Sequence, residues 1–169
     1  MQRRTLLKLG LGASITLAVL GGGLAWLRPG LGGARLSEPA RALMRAVAEA
    51  VLDGSLPADT AARASALDAH LERLQATIAG FPPVTRAELS QLLSLLTTAP
   101  GRLAIARLPQ DWPDAGVVAT QAALQVMRLS GLELRRQVYQ ALRDLTNAAY
   151  YADASTWPLL GYPGPRGLA

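Results

Sequence analysis

The stretch Ser130–Pro165 reads SGLELRRQVYQALRDLTNAAYYADASTWPLLGYPGP, and its two halves follow different rules. Ser130 and Glu133 have the spacing of a capping box, in which each side chain satisfies an orphan amide of the first helical turn. Behind that cap Leu134, Val138, Leu142, Leu145 and Ala149 recur at steps of three and four, which gathers them on one helix face as a core stripe. Arg135, Arg136, Arg143 and Asp144 fall largely off that stripe, on a solvated flank. After Tyr151 the periodicity stops. Three prolines and three glycines between Pro158 and Gly167 predict neither helix nor inner strand there. An aromatic, proline-rich tail is stiff before it meets a partner, so docking it costs little ordering entropy. Tyr150, Tyr151, Trp157 and Tyr162 are therefore candidate partner contacts, and Pro163, Gly164 and Pro165 the turn that presents them. The competing reading folds the same aromatics back onto the chain's own bundle.

The residues upstream repeat the helical half of this pattern. Ser37 precedes Glu38 and Pro39, a helix start, and Leu43, Val47, Ala50 and Val51 form one apolar face that stops at Asp53 and Gly54. A second helix is predicted from about Asp59 to Ile78, with Leu67, Leu71, Leu74 and Ile78 inward, ended by Gly80, Pro82 and Pro83. Thr85 and Glu88 form another capping box, followed by Leu89, Leu92, Leu93 and Leu96 and a stop at Pro100 and Gly101. Arg102–Arg107 predicts one short turn. A loop through Asp111, Trp112 and Pro113 leads to a fourth helix, Asp114 to Leu129, with Val118, Ala122, Leu124 and Met127 inward. The Ser130 helix is the fifth. No period-two apolar run predicts a sheet, and no internal repeat is visible. The fold class is all-α: an N-terminal signal or anchor helix, an antiparallel bundle of about five helices, and an extended tail. The predicted divisions are 1–34, 35–153 and 154–169.

With 169 residues the chain is long enough to bury a core without staples. It has no cysteine, which removes disulfides, thiolate metal sites, haem attachment and cysteine nucleophiles. The net charge of +5 belongs almost wholly to the N-terminus, where Arg3, Arg4, Lys8 and Arg28 meet no acid before residue 35. The rest of the chain is nearly neutral, which sets aside a nucleic-acid-binding surface. His70 is the only histidine and Lys8 the only lysine, so no triad or metal cluster can be assembled from motifs. His70 lies between Ala69 and Leu71 on the second helix and is read as a surface or packing residue. Asp111 and Asp114, acids before a helix, are read as caps and not as a catalytic pair. No catalytic, cofactor-binding or metal-binding residue is predicted.

The N-terminus reads as an address. Arg3, Arg4, Leu6, Leu7 and Lys8 are followed by an uncharged run from Leu9 to Leu27, the sequence of a basic region and an apolar region that marks a signal peptide. The paired arginines with Leu6, Leu7 and Lys8 resemble the twin-arginine (Tat) export motif, with Gln2 and Leu6 departing from its Ser/Thr and Phe positions. Gly23–Ala25 and Gly32–Ala34 both offer small residues where a signal peptidase reads them. As a helix, residues 9–27 would span roughly 28 Å, near the thickness of a bilayer core. Cleaved signal and retained inner-membrane anchor both stay open.

Several of these segments together resemble one family. The twin-arginine start, the helix end at Leu52–Gly54, Trp112, the Ser130–Leu142 segment and the Leu160–Pro165 tail are similar to the gluconate 2-dehydrogenase subunit 3 family. That resemblance implies a small Tat-exported accessory subunit, without cofactor of its own, bound to a flavin-dependent GMC dehydrogenase whose large subunit holds FAD. It also implies a cytochrome c subunit as electron acceptor in some complexes, periplasmic localisation, and the Tat translocase as transport partner. The rival expectation is a stand-alone, membrane-anchored periplasmic helical binding or scaffold protein.

Overall fold

The chain enters the described region, residues 29–162 of the computed structural model, through a hairpin of two short strands, β1 (Leu31–Gly32) and β2 (Arg35–Leu36). Leu31 pairs with Leu36 and Gly32 with Arg35, around a turn in which Gly33 takes a φ of 68° that favours glycine. The sequence predicted no sheet, and the hairpin corrects that. Two strands of this length do not hold on their own in water. Here Leu31 and Leu36 are buried in the core, the Leu31 amide donates to Ser90 Oγ at 3.0 Å, and the Leu36 amide donates to Gln75 Oε1 at 3.2 Å. The Ser37 amide closes the loop on the Gly30 carbonyl at 2.9 Å. The boundary expected after residue 34 therefore falls inside a folded element, and the folded unit begins by Gly30.

Six α-helices follow among the described residues: α1 (Glu38–Val51), α2 (Thr60–Ala79), α3 (Pro83–Leu96), α4 (Ala99–Ala106), α5 (Trp112–Arg128) and α6 (Glu133–Tyr151). A 3-10 helix, Ala154–Leu160, is the last element among the described residues. The all-α reading stands, with one more helix than expected. In α1, Pro39 occupies the first turn, and Leu43, Val47 and Ala50 are buried; Ser37 stands at the N-cap position but its side chain makes no capping bond. In α2, Asp59 caps the start by accepting from the Ala62 amide at 2.8 Å, and Leu67, Leu71, Leu74 and Ile78 are buried as read. α3 starts at Pro83, ahead of the expected Thr85 box, because a proline lacks the amide that the first position leaves orphaned anyway. Pro100 and Gly101, read as a stop, instead lie in the first turn of α4, where Thr98 accepts from the Gly101 amide at 3.2 Å. A side chain at Gly101 would overlap the Leu95 carbonyl oxygen, so only glycine fits that close approach.

The two last α-helices carry further corrections. In α5, Leu124 and Met127 are buried, but Val118 is 80 % exposed and Ala122 is exposed too. In α6, Val138, Leu142, Leu145 and Ala149 are buried, but Leu134 faces solvent. The capping box expected there does not form. Leu132 takes the N-cap position, so Ser130 lies too early, and its Oγ accepts from the Leu132 amide at 3.1 Å in a local turn. Glu133 turns instead to Arg136, one helical turn on.

The core is mostly one cluster, centred on α1, which packs on α2, α5 and α6. Leu43, Val47, Leu71, Leu93, Met127 and Leu142 meet there, each essentially without solvent contact. At about 2 kcal/mol for each fully buried aliphatic side chain, these residues carry a large share of the fold's stability. Trp112 is buried with them, and its indole Nε1 donates to the Leu96 carbonyl at 2.8 Å, which ties the start of α5 to the end of α3. A smaller cluster of Ala48, Leu52, Leu67 and Tyr150 fills the other end.

Candidate functional site

The C-terminal aromatics do not form an extended tail in the described residues. Tyr150, expected at a partner interface, is 7 % exposed and belongs to the smaller core cluster. Its hydroxyl donates to the Ser55 carbonyl at 2.9 Å, and its ring lies edge-on to Tyr151 at 5.2 Å between centroids. The physical reason is position: Tyr150 stands two turns after Leu142 on the buried face of α6. Burial and the neighbouring Tyr151 push its phenol above its usual range. Tyr151 is half-buried against the same cluster.

Beyond Asp153 the chain folds back on the end of α6. Thr156 Oγ1 donates to the carbonyls of Asp153 at 2.8 Å and Tyr150 at 3.3 Å, and Trp157 Nε1 donates to the Tyr151 carbonyl at 2.8 Å. Pro158 sits inside the 3-10 helix, so the tail expected to be extended over 154–169 is helical over Ala154–Leu160, and residues 163–169 lie outside the described residues. Gly161 ends it in the left-handed conformation, and Tyr162 packs edge-on against Trp157 at 5.4 Å with nearly half its surface exposed. Trp157 is half-buried. Of the predicted contacts, then, Tyr162 is exposed beside a half-buried Trp157, Tyr151 is half-buried and Tyr150 is core. Pro163, Gly164 and Pro165, and the export residues Arg3, Arg4, Leu6, Leu7 and Lys8, lie outside the described residues.

Arg73, on α2, holds this end together. Its Nε donates to the Ala149 carbonyl at 3.2 Å, and its guanidinium pairs with Asp153 at 3.1 Å. Asp153 caps the 3-10 helix by accepting from the Ser155 amide at 2.9 Å. Hydrogen bonds from Ser155, with a smaller contribution from Arg73, hold its carboxyl below the usual carboxylate range. One turn before Arg73 lies His70, with no exposed surface and neither ring nitrogen hydrogen-bonded. Its ring is tilted against that of Tyr150 at 6.4 Å. Burial first, and the Arg73 charge second, lower its pKa to about 4, so it is a neutral packing residue at neutral pH.

The other surface that stands out is the outer side of α5. Val118, Ala122, Val126 and Leu129 succeed one another at steps of four, four and three, and all are exposed. The opposite side of the same helix buries Thr120, Ala123, Leu124 and Met127. Gln121, at the flank, donates to the Ala50 carbonyl at 3.2 Å and to Asp53 at 3.1 Å, which fixes the rotation of α5 against α1. Gly116, with a φ of 67°, lets the first turn of α5 bend away before this stripe begins. A helix apolar on two sides is normally covered on both. Leu132 and Leu134, at the turn into α6, are exposed too.

Sequence inspection missed the outward half of α5 because an apolar periodicity does not say which face meets the core. It also missed Arg102, which is buried and donates to the carbonyls of Leu108 at 3.2 Å and Pro109 at 3.4 Å and to Asp111 at 2.7 Å. Asp111 is the α5 cap, as read, and also this arginine's counter-charge. Among the described residues no group of three or more histidines and acids is placed to hold a metal ion. Comparison of the chain with protein-family models, with curated proteins and with solved structures finds no match.

Proposed function

We propose that this chain is a non-catalytic accessory subunit that binds a folded flavin-dependent dehydrogenase of the GMC type, carries it through the Tat pathway and stays bound. The observation that carries the proposal is the outer face of α5, where Val118, Ala122, Val126 and Leu129 stay exposed beside Gln125 and Arg128 on a helix whose other side is already buried. Such a face is unfavourable in water and becomes favourable when a partner covers it. Tyr162, exposed and packed edge-on against the half-buried Trp157, supplies the kind of rigid aromatic anchor that dominates interface energetics. The flavoprotein itself comes from the resemblance of the twin-arginine start, the Ser130–Leu142 segment and the Leu160–Pro165 tail to the gluconate 2-dehydrogenase subunit 3 family.

The test is co-purification of the full chain from periplasm and membranes of its host, read by flavin absorbance. The flavoprotein should accompany the parent and be lost from a Val118→Glu, Leu129→Glu variant whose melting temperature is unchanged, since both residues are exposed. A parent that elutes without flavin refutes the proposal. A second reading, a stand-alone anchored scaffold, is favoured by one observation: Gly30 is already packed on α3, only three residues after the apolar run 9–27 ends. A retained anchor would then hold the bundle directly against the bilayer.

A further inference from the structure

Beyond the Gly116 kink, α5 runs as one continuous helix from Val117 to Arg128, about three turns. Val118, Ala122, Gln125 and Leu129 follow one another there at steps of four, three and four, the spacing that lines side chains along a coiled-coil seam. All four are exposed, Val118 at 80 % and Leu129 at 69 %. Ala122, the smallest of them, lies near the middle, where a second helix can approach closely. The charged groups beside the seam stand at different heights. Arg128 is at the C-terminal end, with its Nε donating to Gln125 Oε1 at 3.0 Å. Asp53, from the turn after α1, lies two helical turns back, where its carboxylate accepts from Gln121 Nε2 at 3.1 Å. Gln121 and Arg128 are seven residues apart, so both charges flank the seam on the same side. Both are exposed, and neither forms an ion pair among the described residues.

We propose that a second copy of this chain covers the outer face of α5, with the two helices antiparallel about a two-fold axis. Val118 of one copy then meets Leu129 of the other, and Ala122 meets Gln125, each contact occurring twice. An antiparallel two-fold also brings like flanks together, so Arg128 of one copy lies beside Asp53 and Gln121 of the other at both ends of the seam. Parallel copies would set Leu129 on Leu129 and leave Arg128 two turns from either Asp53. Charge therefore selects the antiparallel pair. Three turns of one helix fall short of the roughly 800 Å² per partner that a stable complex buries, so the pair is weak and reversible. The face is the one offered above to the flavoprotein, and the two occupants exclude each other: pairing covers the free chain and gives way on capture. The pairing itself does not depend on that reading.

The chain has no cysteine, so introduced thiols report the pairing directly. Full-length Val118→Cys and Leu129→Cys chains, purified in detergent micelles without flavoprotein, are oxidised separately and as a mixture and read by non-reducing gel and intact mass. The mixture should give a disulfide-linked dimer of one variant with the other. Each variant alone should stay unlinked, because either thiol lies eleven residues, about 16 Å, along the helices from its own copy, beyond the reach of a disulfide. Arg128→Glu, at an exposed site, should slow the mixed cross-link about threefold with the melting temperature unchanged, and Asp53→Arg added to it should restore the rate. No link in any sample overturns the proposal, as do links of each variant to itself, whether from parallel copies or from collision within a micelle. A mixed link indifferent to Arg128→Glu overturns the register. Co-purification of the flavoprotein is read in separate samples and bears on the functional reading alone.

Discussion

Replacing His70 by leucine should change how stability depends on pH, and the size of the change follows from the site. His70 has no exposed surface, no hydrogen bond at either ring nitrogen, and the Arg73 guanidinium one turn away. In the unfolded chain it takes up a proton near pH 6.5, but in the native state only near 4. Between those values the unfolded state binds more protons, so native stability falls as pH falls through that window. The fall from 6.5 to about 4, at roughly 1.4 kcal/mol for each pH unit between them, comes to about 3 kcal/mol, all lost by pH 4 and none above 6.5. Leucine removes both the proton uptake and the unsatisfied nitrogens, so at pH 7 the variant should be equal to the parent or up to about 2 kcal/mol more stable. Urea denaturation at pH 7, 6, 5 and 4.5, on parent and variant together, is the assay, because the carboxylates titrating in that range are common to both. Parallel stability curves, within about 0.5 kcal/mol, would refute the account of a buried, unpartnered imidazole.

Other substitutions probe the remaining contacts. Leu142→Ala, at a side chain with no exposed surface, should cost about 2–5 kcal/mol in thermal or urea unfolding. Gly101→Ala should lower the melting temperature clearly, through overlap with the Leu95 carbonyl, while Gly32→Ala, with open space around it, should leave it unchanged. Arg73→Leu should free the 3-10 helix from the end of α6, seen as faster amide exchange over residues 150–162 with the rest of the bundle protected.

What could be seen in the sequence was what repeats. Leu67, Leu71, Leu74 and Ile78 on α2, and Leu89, Leu92, Leu93 and Leu96 on α3, are buried as their spacing predicts, because burial itself imposes the helical period. The same rule misled at Val118 and Ala122, where both faces of α5 are apolar and nothing local says which one meets α1. The hairpin was invisible because two residues per strand give no alternation, and its stability comes from Ser90 and Gln75, far along the chain. Ser130 and Glu133 have capping-box spacing, yet the helix begins at Glu133, so spacing alone did not fix the start. The prolines after Trp157 excluded an α-helix but not the tighter 3-10 turn that holds Pro158. Tyr150 carried a readable signal: it stands eight residues after Leu142, on the same buried face. Arg73 and Arg102 carried none, since a single arginine looks alike whether it is solvated or buried against carbonyls.

The central claim is that this chain takes a folded flavoprotein across the membrane on its own export signal, and changing Arg3 and Arg4 together to lysine tests it most directly. Lysine keeps the charge but not the planar guanidinium pair of the twin-arginine motif. The measurement is flavin-linked dehydrogenase activity in periplasmic and cytoplasmic fractions of cells carrying parent or variant. The account predicts that both this chain and the flavoprotein move to the cytoplasmic fraction in the variant; undiminished periplasmic dehydrogenase activity would contradict it.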